Sequence, residues 1–113
     1  MSRGPRTPDD LPVSRIVAEN VYALRIRRGW SQRTLAKATE GGIKPVGFST
    51  VCRIERAARD RSAKPVIVGV DDLVALAGAL GFLPERLLVE PKCYVCLDVP
   101  PAGFVCRTCG AES

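Results

Sequence analysis

Residues 23–38 read ALRIRRGWSQRTLAKA and residues 49–57 read STVCRIERA. In the first stretch a helical pattern stops at Gly29, and a second one opens at Ser31, whose hydroxyl suits the orphan backbone N–H groups of a helix start. Trp30, just before that cap, fits a hydrophobic staple against the core, and Leu35 with Ala38 supplies a short buried stripe. In the second stretch Val51 and Ile54 face inward on another short helix. A helix held steeply against its predecessor needs a small residue where the two backbones approach and apolar residues that lock the pair. Ala36 is the small residue; Leu35, Val51 and Ile54 are the lock.

Outward from this pair the pattern stays helical. From Ser14, Val17, Val21 and Leu24 recur at i, i+4 and i+7, with Arg15, Glu19, Arg25, Arg27 and Arg28 mostly on the other faces. The link EGGIKPVG, residues 40–47, cannot continue a helix. Beyond residue 56 a loose basic stretch leads into VIVGV, residues 66–70, which suits a short extended piece. DDLVALAGALG, residues 71–81, is a further helix: Asp71 or Asp72 can cap it, Leu73, Leu76, Ala77 and Leu80 line one face, and Gly81 suits the left-handed residue after its end. LPERLL, residues 83–88, adds a turn or two, with Pro84 where its missing N–H costs little. Five helices are expected. Residues 1–13, with three prolines and a glycine and no periodicity, are expected to be a disordered tail.

The net charge of +5 in 113 residues is unevenly spread. Residues 15–64 hold twelve Arg or Lys against four acids, whereas residues 65–113 hold three against six. Clustered cations displace the counterions of a polyanion and gain affinity from their release, so nucleic acid is the partner this asymmetry suggests. No run of about 18 apolar residues exists, which argues against a membrane span. The start MSRGPRTPDDLPVSR lacks the apolar stretch of a secretion signal, so a soluble cytoplasmic protein is expected. An enzyme is not expected: the chain has no histidine, no clustered carboxylates and no phosphate-binding loop, and no small-molecule substrate suggests itself.

The C-terminal stretch CYVCLDVPPAGFVCRTCG, residues 93–110, pairs Cys93 with Cys96 and Cys106 with Cys109. Two-residue spacing lets both sulfurs of each pair reach one ion, and two pairs complete a tetrahedron. So short a segment cannot fold on burial alone, whereas one structural Zn²⁺ supplies folding energy directly. Iron suits four thiolates as well, and two disulfides are the remaining alternative, disfavoured in a reducing compartment. Gly110 suits the tight turn of the second pair, and Asp98 occupies the corresponding region of the first. With every ligand position filled, no open site for catalysis remains. Phe104 and Val105, in the loop that joins the pairs, suit protein contact, with a second copy of the chain or a transcription component.

Taken together, Arg28-Gly29-x-Ser31-Gln32, Leu35-Ala36, Ser49-Thr50-Val51 and Arg53-Ile54-Glu55, followed by DDLVALAGALGF, resemble the Cro and phage-repressor (xenobiotic-response-element) type of helix-turn-helix over about residues 15–90. The resemblance implies an all-α, five-helix lambda-repressor-like DNA-binding domain. The expected organisation is a tail over 1–13, that domain over 14–91 and a zinc ribbon or knuckle over 92–113. It further implies a sequence-specific regulator of double-stranded DNA, a repressor or Cro-like switch of a bacterial or phage-infected cell, acting as a homodimer. The recognition helix then lies near residues 47–56. Phe48, Ser49, Cys52 and Arg53 are its candidates for base edges, with Arg53 first because arginine can bond guanine bidentately. Gln32 matches the position that meets a phosphate in this family, and Arg33, Lys37, Arg56, Arg59 and Arg61 are further candidates for the DNA backbone. Cys52 also reads as an ordinary packing residue, and Glu55 as the structural partner of a nearby arginine. The link 40–47 is about four residues longer than the family's usual turn. The alternative function is a protein-interaction module, an antitoxin or RNA polymerase adaptor, acting through the zinc module.

Overall fold

The computed structural model describes residues 12–93, Leu97 and residues 103–110. The expected tail before residue 12, Cys96, Asp98 and most of the loop that joins the cysteine pairs lie outside the described residues.

The described chain is all-α. Its helices are α1 (Pro12–Arg27), α2 (Gln32–Ala38), α3 (Phe48–Arg59) and α4 (Val70–Leu80), with 3-10 turns over Thr39–Gly41 and Pro84–Leu87. The fifth expected helix is thus the second of those turns. Helix α1 begins at Pro12, two residues before the expected start, since a first-turn proline lacks only an N–H with no intrahelical partner. It ends as the sequence suggests. Gly29 is left-handed at φ 72°, its N–H reaches the Ile26 carbonyl at 2.9 Å, and the Trp30 N–H reaches that of Arg25 at 3.2 Å. Two residues later the Ser31 hydroxyl accepts the Thr34 N–H at 3.0 Å and starts α2. Leu35 and Ala36 are the buried residues of α2, while Ala38 is only half-buried.

The long link between α2 and α3 is tied at both ends. Thr39 is fully buried, and its hydroxyl donates to the Ala36 carbonyl at 2.6 Å while accepting the Val46 N–H at 2.7 Å. The Lys44 ammonium meets Asp72 of α4 at 2.7 Å. The link can therefore be long without letting α3 swing. Helix α3 runs a turn past its expected end, to Arg59. There the Asp60 carboxylate accepts the Ser62 N–H and hydroxyl at 3.0 and 2.7 Å, which closes the turn.

The stretch 66–70 contains extended backbone but no strand. Val66 and Val68 pack against the core while Ile67 between them is 79% exposed, the alternation of an extended segment without a partner strand. Helix α4 is capped by Gly69, with no side-chain bond, and not by the expected Asp71 or Asp72. Those two acids sit inside its first turn, where they face the positive end of the helix dipole. Gly81 ends α4 at φ 85°, and Phe82 closes back to the Ala77 carbonyl at 2.9 Å.

The core lies among α1, α2, α3 and α4, each of which buries side chains in it. Val21, Leu35, Val51, Ile54, Leu76, Leu80 and Leu87 are fully buried in it. Asn20, buried on α1, donates to the carbonyls of Leu87 and Val89 at 2.9 Å each and holds the chain beyond α4 against α1. Among the described residues no helix is long and apolar enough to cross a membrane.

Candidate nucleic-acid interface and cysteine cluster

Helix α3 has two opposed faces. Val51, Ile54, Glu55 and Ala57 are buried, whereas Phe48, Ser49, Arg53, Arg56 and Arg59 are exposed and Cys52 is half-buried. At 100° per residue the outward positions fall on one continuous arc. The basic and polar residues expected to meet DNA from this helix therefore share one surface.

What fixes the inner face is polar as well as apolar. Glu55 has no exposed surface, and its carboxylate takes a bidentate pair of hydrogen bonds from Arg25 of α1, Nε to Oε2 at 2.7 Å and Nη2 to Oε1 at 2.8 Å. The remaining Arg25 nitrogen donates to the Trp30 carbonyl at 2.7 Å. The Glu55 hydrogen bond raises the Arg25 pKa above its ordinary value despite burial. Gln32, at the first turn of α2, joins the group: its amide donates to Glu55 at 3.2 Å and accepts the Cys52 thiol at 3.1 Å. One polar chain thus ties α1, α2 and α3 at fixed angles.

The other sequence-selected residues fall into place around this chain. Arg33 of α2 lies over the Phe48 ring, its Cζ 4.1 Å from the centroid. Arg53 reaches Thr50 at 3.4 Å and stays exposed. Lys37 is exposed on α2. Arg61 is placed apart from α3: it faces Glu19 of α1 at 3.5 Å, in a groove also lined by Asn20, Glu90 and Leu97.

Three arginines of the basic half have structural duties that charge counting did not distinguish. Arg15 donates to the carbonyls of Ala57 and Ala63 at 2.9 Å each and closes the end of α3. Arg25 holds Glu55. Arg28 donates to the Leu80 carbonyl at 3.0 Å and lies over the Trp30 ring, its Cζ 4.7 Å from the centroid. Only the Glu55 pairing left a sequence signal, a lone acid among basic residues.

At the other end of the chain, Cys93, Cys106 and Cys109 bring their sulfurs within 4.8 Å of one another. The Cys93 and Cys106 sulfurs are 3.9 Å apart. A tetrahedral ion with metal–sulfur bonds of ~2.3 Å has an edge of ~3.8 Å, whereas a disulfide closes to ~2.05 Å. The spacing fits a shared ion, so the cluster can hold a metal. Gly110, left-handed at φ 81°, donates to the Cys106 carbonyl at 2.8 Å and forms the tight turn that brings Cys109 round. Leu97 is left-handed too, at φ 56°, although it is not glycine. Its side chain is buried in the helical core, and Arg86 donates to its carbonyl. The cysteine segment is therefore anchored to the helices by an apolar side chain, a contact with no signature in the residue pattern.

No protein-family model and no curated protein matches the chain. Among solved structures, it is similar to the hypothetical transcription factor NHTF from Neisseria. The two share 24% identity over 80% of this chain and 91% of that one, with a TM-score of 0.57. The likeness is one of fold.

Proposed function

We propose that the chain is a sequence-specific regulator of transcription that binds double-stranded DNA as a homodimer and lays α3 in the major groove, in the manner of Cro-like repressors. The observation that carries this reading is the exposed arc of α3, backed by Val51, Ile54 and the buried Glu55. The fold it shares with a protein described as a hypothetical transcription factor supports the same reading. In it, Arg53 reads a base edge, Ser49 assists, and Arg56, Arg59 and Lys37 meet phosphates. Gln32 is bonded inside the protein, so its part is to hold α2 against α3 beside the DNA backbone.

Cys93, Cys106 and Cys109, with Cys96 from the sequence spacing, would hold one structural zinc ion. When bound, the ion supplies folding energy to a segment with too little apolar surface of its own. A second reading, a protein partner at this module, rests on the exposure of Phe104 and Val105.

Selection of bound duplexes from a random pool tests the proposal. The zinc-loaded chain should enrich a defined sequence, and its affinity should fall steeply with salt. Arg53→Ala should relax preference at one position, costing about 1–3 kcal/mol, whereas Arg59→Ala should weaken every duplex alike. Enrichment of no sequence, together with capture of a protein partner that depends on Phe104, would favour the second reading.

A further inference from the structure

We infer that Arg33 and Phe48 act as one composite reader of a thymine that neighbours a guanine. The inference deepens the DNA-binding proposal and rests on it.

Phe48 is the first residue of α3, at the end of the helix that would enter the groove, and it is 37% exposed. An aromatic ring left partly open at this position can take an apolar partner on the DNA. The base-pair edges of the major groove present only one such group, the thymine C5-methyl. The ring is also not alone. Arg33 reaches it from α2 and lies 4.1 Å over its centroid, a contact that draws on the negative ring face.

That contact changes what Arg33 is suited to do. A guanidinium restrained against a ring loses less freedom when it bonds any acceptor pair that matches its fork, phosphate oxygens and a base edge alike. Held over Phe48, the guanidinium stays beside the ring, so what singles out a base edge is position: the fork lies next to whatever group the ring meets, where a planar acceptor pair can be bonded. The acceptor pair of that shape in the major groove is guanine O6 and N7. Ring and fork are thus presented together, one matched to a methyl group and the other to the base beside it. Lys37, one turn further along α2, remains for the phosphates.

The test uses the full zinc-loaded chain and the duplex that it selects from a random pool, at one fixed salt concentration. Each thymine is replaced in turn by deoxyuridine, which removes only the methyl, and each guanine by 7-deazaguanine, which removes N7. One thymine should prove sensitive, with affinity falling about fourfold, the worth of one buried methyl group. A guanine next to it should also be sensitive. In Phe48→Ala the deoxyuridine effect should vanish, and in Arg33→Ala the 7-deazaguanine effect at that base should vanish. Selective binding that tolerates deoxyuridine at every thymine would overturn the inference while leaving α3 as the reading helix. The same holds if Phe48→Ala keeps the methyl dependence. Failure to bind any duplex at low ionic strength would remove both. The base replacements are made on the unaltered protein, so the result does not depend on either variant folding.

Discussion

Helix α3 and the cysteine segment are fastened in different ways. Helix α3 is held by a buried ion pair, Arg25 to Glu55, extended by Gln32 and Cys52. Among the described residues the cysteine segment is held by the Leu97 side chain in the core and by the Arg86 hydrogen bond to the Leu97 carbonyl, and its cysteines can hold a metal. The two devices do different work. A bidentate guanidinium–carboxylate pair is directional: it tolerates little rotation of one helix against another, at the cost of taking two charges out of water. A leucine in a core is tolerant of direction and contributes through the area it removes from water. On the proposed reading, α3, which has to be aimed at DNA, has the more directional fastening.

The largest effect expected from breaking this contrast is at Glu55. Glu55→Ala leaves the Arg25 charge buried and unpaired, which should cost about 3–5 kcal/mol in denaturant unfolding. Replacing both partners by apolar residues of similar volume sharpens the comparison. Arg25→Met with Glu55→Leu should recover most of that stability, because the desolvation cost goes with the charges. If the pair exists to aim α3, the double variant should still discriminate poorly among DNA sequences. A double variant that regains stability and base preference together would show that the apolar lock of Val51 and Ile54 suffices to set the angle.

The second effect is smaller and lies in the cysteine segment. Leu97→Ala should cost about 2–3 kcal/mol, the lower part of the range for a buried leucine, because the site is at the edge of the core and can partly collapse. If the cysteines hold a metal, its chelation should have a related signature, since the left-handed backbone at Leu97 is costly for a residue with a Cβ and needs its surroundings to hold it. The methyl signals of Leu97 and of Ile16 and Ala23, which share its groove, should move on chelation while those of Val51 and Ile54 stay in place. Movement of all of them together would mean that the two fastenings form one cooperative unit.

These two sites also show what the sequence could and could not disclose. Starts and stops set by one residue's own chemistry were legible: Gly29 and Gly81 end helices, Ser31 begins one, and Val51 and Ile54 face inward as their spacing requires. The arc of Phe48, Ser49, Arg53 and Arg56 follows from the same spacing. Partnerships across the chain are legible only in part: Glu55 reads as the partner of an arginine, but the sequence does not say which one. Arg25 and Glu55 are 30 residues apart, and nothing in a list of seventeen cations marks which ones turn inward. Arg15 and Arg28 keep their charge but donate to backbone carbonyls, so their guanidinium groups are tied down by the fold. Leu97 follows the second cysteine of its pair as Gly110 follows that of the other, and only packing reveals that it takes a glycine's backbone angle in order to reach the core. At α4 the expected cap, Asp71 or Asp72, is wrong: Gly69 holds the capping position, both acids lie inside the first turn, and Asp72 pairs with Lys44.

The smallest expected effect concerns acid. The Asp60 carboxyl, at the end of α3, has its pKa lowered chiefly by the Ser62 hydroxyl and then by the Ser62 N–H. A carboxyl whose folded pKa lies below its unfolded one stabilises the fold above the ordinary carboxylate pKa, and this contribution fades as pH falls through the folded value. Asp60 is exposed, so solvent screens the interaction and the effect should be slight. Asp60→Asn should therefore lower the denaturant midpoint a little at pH 6 and leave it unchanged well below the carboxylate range. Amide exchange should locate the loss at Ser62 and Ala63, where the turn after α3 closes, and not at the cysteine segment. If exchange instead quickens at residues 103–110, the turn after α3 and the cysteine cluster are coupled, and the separation between the two fastenings does not hold.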